Sequence, residues 1–292
     1  MAITQPTLTP EAAAPRRNWQ LPVLLGPAVF WLFWFFLVPL VVILIYSFLT
    51  RSATGGVDWI FTFDNYARLL SDPIYVTILG RSVWIGGVAT LICLLIAYPL
   101  ALFIILQPAQ WRSFYIFLVL IPFWTNMLVR TYAWMTILNN NGLINSFVTG
   151  LGGPRLTLIN TEGAVLLGLV YGQLPFMVLP LYAAMDRFDF RMMEAASDLG
   201  ANKWRSFLRV MLPMTAPGIA AGSVLVFILS AGNYIIPALL GGNKVTMIGN
   251  QLELWFRTAQ NQPLGSAAAV LLMIMMVGGV IIYFRTTTED DR

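Results

Sequence analysis

Three stretches of 30 residues or more carry no charged side chain at all: Leu21–Thr50, Ser82–Trp111 and Val210–Asn243. Each exceeds the roughly 20 apolar residues that a helix needs to cross a hydrocarbon layer about 30 Å thick. In 292 residues, 58% of them hydrophobic and only 10% charged, one soluble core has no room for three such runs. Soluble domains carry about 25% charged residues. Inside lipid the backbone must satisfy its own hydrogen bonds, so runs of this length read as helices. The expected fold class is therefore an all-α integral membrane protein.

The apolar pattern divides into six spans, at about 21–49, 82–106, 113–138, 163–185, 213–240 and 266–284. They form one transmembrane domain over 21–285, with polar tails at 1–20 and 286–292 and a charged loop at 186–212. The first run is far longer than the 7–15-residue apolar segment of a cleavable signal. The stretch 51–77 is polar and of mixed charge, and NNNGLINSFVTGLGGPR after span three is a turn-rich loop with room for a short amphipathic helix. Six crossings put both ends of the chain on one side. Ten basic residues share that side and seven lie on the other. The ten sit on shorter loops near span ends, where basic residues favour the cytoplasm. Both termini and the 186–212 loop are expected to be cytoplasmic, in a multi-pass membrane protein surrounded by lipid.

Several chemistries are excluded by what is missing. There is no His and one Cys, Cys93, which lies in an apolar run. That removes His-based proton transfer, His/Cys metal sites and any intrachain disulfide. No metal site is expected. No carboxylate falls within a span, which disfavours a proton relay, and Glu162 stands only at a span start. There is no phosphate-binding loop of the GxxxxGK[ST] type, so the chain is not expected to hydrolyse ATP. Basic residues form no long run, so no nucleic-acid partner is expected. Neither a membrane-embedded enzyme nor an inverted-repeat carrier is indicated.

The most polar segment between apolar runs is EAASDLGANKWRSFLRVMLPMTAPGI, Glu194–Ile219. It reads as two short helices broken at Gly200, where a left-handed residue closes the first. Asp189 is placed to cap the first and Asn202 the second, which is expected to end before Pro213. The first helix offers Ala195, Ala196 and Leu199 on neighbouring turns between charged rims, a surface that a partner protein can grip.

Glu194-Ala195-Ala196, Gly200, Val210, Leu212 and Pro213 stand at the spacing EAAxxxGxxxxxxxxx[I/V]xLP. This resembles the signature of binding-protein-dependent ABC importer permeases, with Val210 where isoleucine is usual. The resemblance implies a type I permease whose coupling helices, between spans four and five, sit in a groove of a separate ATPase. Glu194 would then face that ATPase, Ala195 and Ala196 would allow close approach, and Gly200 would make the bend. Further segments, among them PFWTNMLVRTYAWMTIL, PFMVLPLYAAM and AGSVLVFILSAGNYIIPALLGG, resemble the spermidine/putrescine importer permeases. That likeness implies a second homologous permease, a cytoplasmic ATPase dimer holding ATP and Mg, and a periplasmic solute-binding protein. No cofactor is expected on this chain itself. Relatives often carry an acid near Asn233 or Ala238, and here neither position is acidic.

The translocation path is expected to involve Trp124, Asn126, Arg130, Tyr171, Gln173, Asn233 and Tyr234. Aromatic faces, including Trp134 and Tyr132, suit a cationic solute. Other roles stay open: Arg130 can snorkel to headgroups and Gln173 can bond a neighbouring helix. A polyamine is the first-ranked solute, with another small organic solute such as an amino acid or opine as the alternative. A passive channel or stand-alone carrier is the rival outside this class.

Overall fold

The computed structural model describes residues 20–52 and 56–289. The expected N-terminal tail, with Arg16 and Arg17, and the last three residues of the C-terminal tail lie outside the described residues.

The first span runs as α1 (Gln20–Leu32), a π-helical turn (Phe33–Leu37) and α2 (Val38–Tyr46). It ends at Tyr46, short of the expected boundary, because the chain then turns into a hairpin of β1 (Leu49–Arg51) and β2 (Val57–Phe61). This antiparallel pair qualifies the all-α expectation. Its register slips between Leu49 and Thr50, and Phe48, Phe61, Phe63 and Tyr66 pack ring to ring beside it. α3 (Asp64–Ser71) follows, and its Asn65 Nδ2 donates to the carbonyls of Ser47 and Leu49.

α4 (Pro73–Leu106) starts nine residues before the expected second span. Asp72 accepts from the Ile74 N–H and Pro73 occupies the first turn, a strong helix start that the charge pattern hid. Its 34 residues make a rod about 51 Å long, so it projects beyond the hydrocarbon layer. Arg81 stands on this projection. Its Nε lies 3.5 Å from Glu162 Oε1, and its Nη1 donates to the Lys244 carbonyl. A charge ends the stretch that lipid tolerates, and a helix continues past it.

The expected third span, 113–138, is not one helix. α5 (Ala109–Trp124) ends where α6 (Met127–Leu138) begins, and the segment Met127–Gly150 that α6 opens is bent by 83° from α5. Thr125 is extended and Asn126 Oδ1 accepts from the Leu128 N–H, so a new helix is capped in mid-run. α7 (Leu143–Gly150) is the short helix expected in the following loop. α8 (Glu162–Asp186) matches the fourth span within a residue at each end. α9 (Arg191–Asp198) and α10 (Lys203–Ser206) lead through a π-turn (Phe207–Met211) into α11 (Leu212–Ala231). The fifth span therefore begins at Lys203 and ends at Ala231, not at 213 and 240. Residues 233–244 form a separate π/3-10 segment, followed by α12 (Ile248–Glu253), a further π-turn (Leu254–Thr258) and α13 (Gln262–Glu289). Five described helices are long and apolar enough to cross a membrane, or six if the bent α5–α6 pair is one span.

The core is the triangle of α4, α8 and α11. Cys93, Ala97, Ala101 and Ile104 of α4 meet Met177, Leu181 and Met185 of α8 and Val226 of α11, all fully buried. Gly218 and Gly222 let α11 reach α8: a Cβ on Gly218 would stand 2.5 Å from that of Ala184 and 2.8 Å from the Pro180 carbonyl oxygen. Gly278 and Gly279, which also suit close helix packing, have nothing within 4 Å of an added Cβ among the described residues. Arg112 Nη1 pairs with Asp186 Oδ1 at 3.1 Å and marks one end of the molecule. The Arg81–Glu162 pair marks the other.

Candidate functional site

Two features answer to the sequence expectations: the partly exposed 186–212 segment at the Arg112 end, and a cavity between α5, α6, α8 and α11.

At the Arg112 end, Asp189 Oδ1 accepts from the Arg191 N–H and starts α9. Gly200 has φ +87°, the Ala201 N–H donates to the Ala196 carbonyl, and the Gly200 N–H donates to that of Ser197. That pair of bonds is a Schellman ending, and it needs the left-handed residue that the sequence placed there. Asn202 Oδ1 caps α10 through the Arg205 N–H at 2.8 Å. Pro213, however, does not end the second helix. Proline lacks the N–H that would bond the carbonyl four residues back. The π-turn absorbs this defect, because the Leu212 N–H reaches the Phe207 carbonyl instead, and the helix continues. Segment 203–231 is thus one lever, with its base outside the apolar stretch.

The base is tied to the core. Phe207 stacks on Trp204 and meets Tyr98 edge-on at 5.5 Å, while Tyr98 shares a 3.0 Å hydrogen bond with Thr215 Oγ1. Phe190, Met193, Val210 and Leu212 rest on the central cluster. Within the signature, Val210 and Leu212 therefore face this chain's own core. Glu194, Ala195, Gly200 and Pro213 are exposed, and Ala196 is half-buried. Leu199 is 90% exposed and Trp204 66% exposed, large apolar side chains left in the open beside the alanines.

The cavity, of about 220 Å³, is lined by Arg130, Tyr171, Gln173 and Asn233 from the expected path, together with Trp134. The bend at Thr125 is what brings them together, because it turns α6 across the face of α8. The Arg130 guanidinium carbon lies 5.8 Å from the Phe123 ring centre and 5.9 Å from that of Tyr171. Tyr171 meets Trp134 edge-on at 5.6 Å, and Phe123 meets Phe176 at 5.2 Å. A cation over such rings gains about 0.5–1 kcal/mol when wet and about 2 when desolvated. No carboxylate lines the cavity, and Arg130 has no ion-pair partner among the described residues.

Three expected path residues lie elsewhere. Trp124 is 72% exposed and packs on Phe117. Asn126 caps α6. Tyr234 points outward, and its carbonyl accepts from Asn250 Nδ2. Asn233 lines the cavity, yet its Oδ1 is engaged by the Ile236 N–H. Phe123, Met127, Thr131, Phe176 and Leu229 were missed. A legible signal existed for the first two: Thr-Asn in mid-run is a helix break with a cap, and it re-aims what flanks it.

Residues 13–287 match the family described as "binding-protein-dependent transport system inner membrane component". The chain belongs to that family. Membership makes it a multi-pass inner-membrane component of a binding-protein-dependent ABC importer, in a family of non-catalytic membrane subunits. Curated members similar to it include the Haemophilus influenzae spermidine/putrescine transport system permease protein PotB. That protein is 42% identical over 81% of this chain and 83% of its own length. The Escherichia coli PotB is 41% identical over 81% and 86%. The Escherichia coli inner membrane ABC transporter permease protein YdcU is 31% identical over 71% and 74%. Among solved structures, a bacterial ABC transporter that imports the acidic polysaccharide alginate shares the fold. It has a TM-score of 0.76 over 94% of this chain and 96% of its own, at 18% identity. The MetNI methionine transporter aligns at 0.57 over 75% of this chain and 98% of its own, at 16%.

Proposed function

We propose that this permease carries polyamines, spermidine and putrescine, across the bacterial inner membrane. The observation that carries the reading is the roughly 41% identity to permeases of that transport system over most of both chains. The cavity supports it with four aromatic rings, Phe123, Trp134, Tyr171 and Phe176, whose faces and edges suit ammonium groups. The absent carboxylate is supplied by a second homologous permease across the path.

The exposed Ala195–Leu199 face is the docking surface for a cytoplasmic ATPase dimer. That dimer holds ATP and Mg, and this chain holds no cofactor. The 186–212 loop and both termini are therefore cytoplasmic, and a periplasmic binding protein delivers solute at the Arg81 end. Closure of the ATPases draws the 203–231 levers together, and the helices above swing between inward-open and outward-open.

The test is uptake by vesicles containing both permeases, the ATPase and the binding protein. Wild type accumulates putrescine or spermidine only with ATP. Gly200→Asp removes this uptake while the protein still inserts. Accumulation by this chain alone without ATP would favour a passive channel. One observation favours a second solute class: Arg130 is the only charged side chain lining the cavity among the described residues. A carboxylate-bearing solute such as an amino acid or opine would pair with it, and would then be accumulated in place of polyamines.

A further inference from the structure

The aromatic seat in the cavity is already occupied by the protein's own cation. Arg130 reaches from α6 so that its guanidinium lies over both Phe123 and Tyr171, at 5.8 and 5.9 Å, and is half-buried there. It has no carboxylate to hold it among the described residues, so the rings are its partners. The guanidinium covers the faces of both rings, so an ammonium that is to use those same faces must displace it, although about 220 Å³ stays free beside it. Two cations sharing one half-buried pocket also repel more than they would in bulk water.

We infer that Arg130 is a tethered competitor for the solute's ammonium group. At rest it fills the Phe123–Tyr171 seat, and an arriving polyamine binds there by displacing it. The inference rests on the polyamine reading above. Its consequence is weak binding by construction. A path must hold its solute long enough to accept it and loosely enough to release it. A side chain that returns to the rings as the solute leaves supplies that looseness, and it keeps single small cations from settling on the seat. The bend at Thr125–Asn126 gives this geometry its basis, since a straight 113–138 helix would carry Arg130 away from α8.

The experiment is equilibrium binding of radiolabelled spermidine to the assembled transporter in lipid nanodiscs without the binding protein, beside ATP-driven uptake in vesicles. Arg130→Gln is expected to bind spermidine about tenfold more tightly, because the competing charge is gone, and to release it more slowly in uptake. Arg130→Lys, which keeps a cation on a shorter reach, is expected to tighten binding less than about threefold. Tyr171→Leu is expected to weaken binding about tenfold, and Tyr171→Phe, which restores the ring face, by less. ATP hydrolysis stimulated by the binding protein, measured on each variant, separates assembled transporter from misfolded chains. Unchanged or weaker binding by assembled Arg130→Gln overturns the inference while leaving the polyamine reading in place. A wild-type transporter that accumulates no polyamine overturns both. Wild-type binding of a carboxylate solute that Arg130→Gln loses would make Arg130 a direct ligand contact and overturn the competitor role.

Discussion

Gly218 and Gly222 show what one hydrogen atom in place of a side chain achieves here. They lie one turn apart on α11, and both meet α8 where Cβ atoms would collide with Ala184, the Pro180 carbonyl and Met177. Gly218→Leu is expected to cost about 1–3 kcal/mol or more, since the nearest atoms include backbone that cannot move aside. The check is thermal unfolding in detergent, with Gly26→Leu as a control at a glycine whose surroundings are empty. Leu199 is the opposite case. It is 90% exposed, so Leu199→Ser should shift stability by less than about 0.5 kcal/mol while lowering ATP-driven uptake strongly. Equal losses of stability and uptake would mark it as a fold residue rather than a docking one. Cap residues at this scale were readable in advance. Asn202 and Gly200 do what their side chains, or lack of one, require of neighbouring N–H groups. The role of Arg130 was not readable, because its environment comes from α5 and α8.

At the scale of elements, the π-turn at Phe207–Met211 joins α10 to α11 where a proline should have separated them. A π-turn is in effect one extra residue in an α-helix. Deleting Leu208, an exposed member, is expected to restore a plain helix and rotate everything before it by about 100°. Membrane insertion should survive, and coupling should fail, because Trp204 and the α9 face would then point elsewhere. Yield of inserted protein and binding-protein-stimulated ATP hydrolysis read the two effects separately. The broken third span teaches the same lesson. Hydropathy counts apolar residues and is blind to Asn126 capping a new helix. The β1–β2 hairpin was also invisible, since it fills a polar stretch too short for a clear alternating pattern.

At the scale of the whole molecule, the α4–α8–α11 triangle is the fixed body; Arg81–Glu162 ties α4 to α8 at one end, and Arg112–Asp186 ties α5 to α8 at the other. Both pairs are partly exposed, so removing either, as in Arg81→Gln, should cost no more than about 1 kcal/mol. A larger drop in thermal stability would show that the clamp also fixes the helix register. The first span, α1–α2, is almost wholly exposed and packs chiefly on α13, which leaves it for lipid or for another subunit to cover. The amino-acid sequence alone determined that this chain lives in a membrane, how many apolar runs it has, and where the capped, glycine-broken polar segment between them lies. Those follow from local quantities: transfer free energy per residue, and the few side chains that can start or stop a helix. Tertiary structure alone decided the angle at which span three bends, which signature residues face inward, and that Arg130, Tyr171 and Asn233 share one cavity. Those depend on angles between helices, which packing among distant segments sets and no single run of residues encodes.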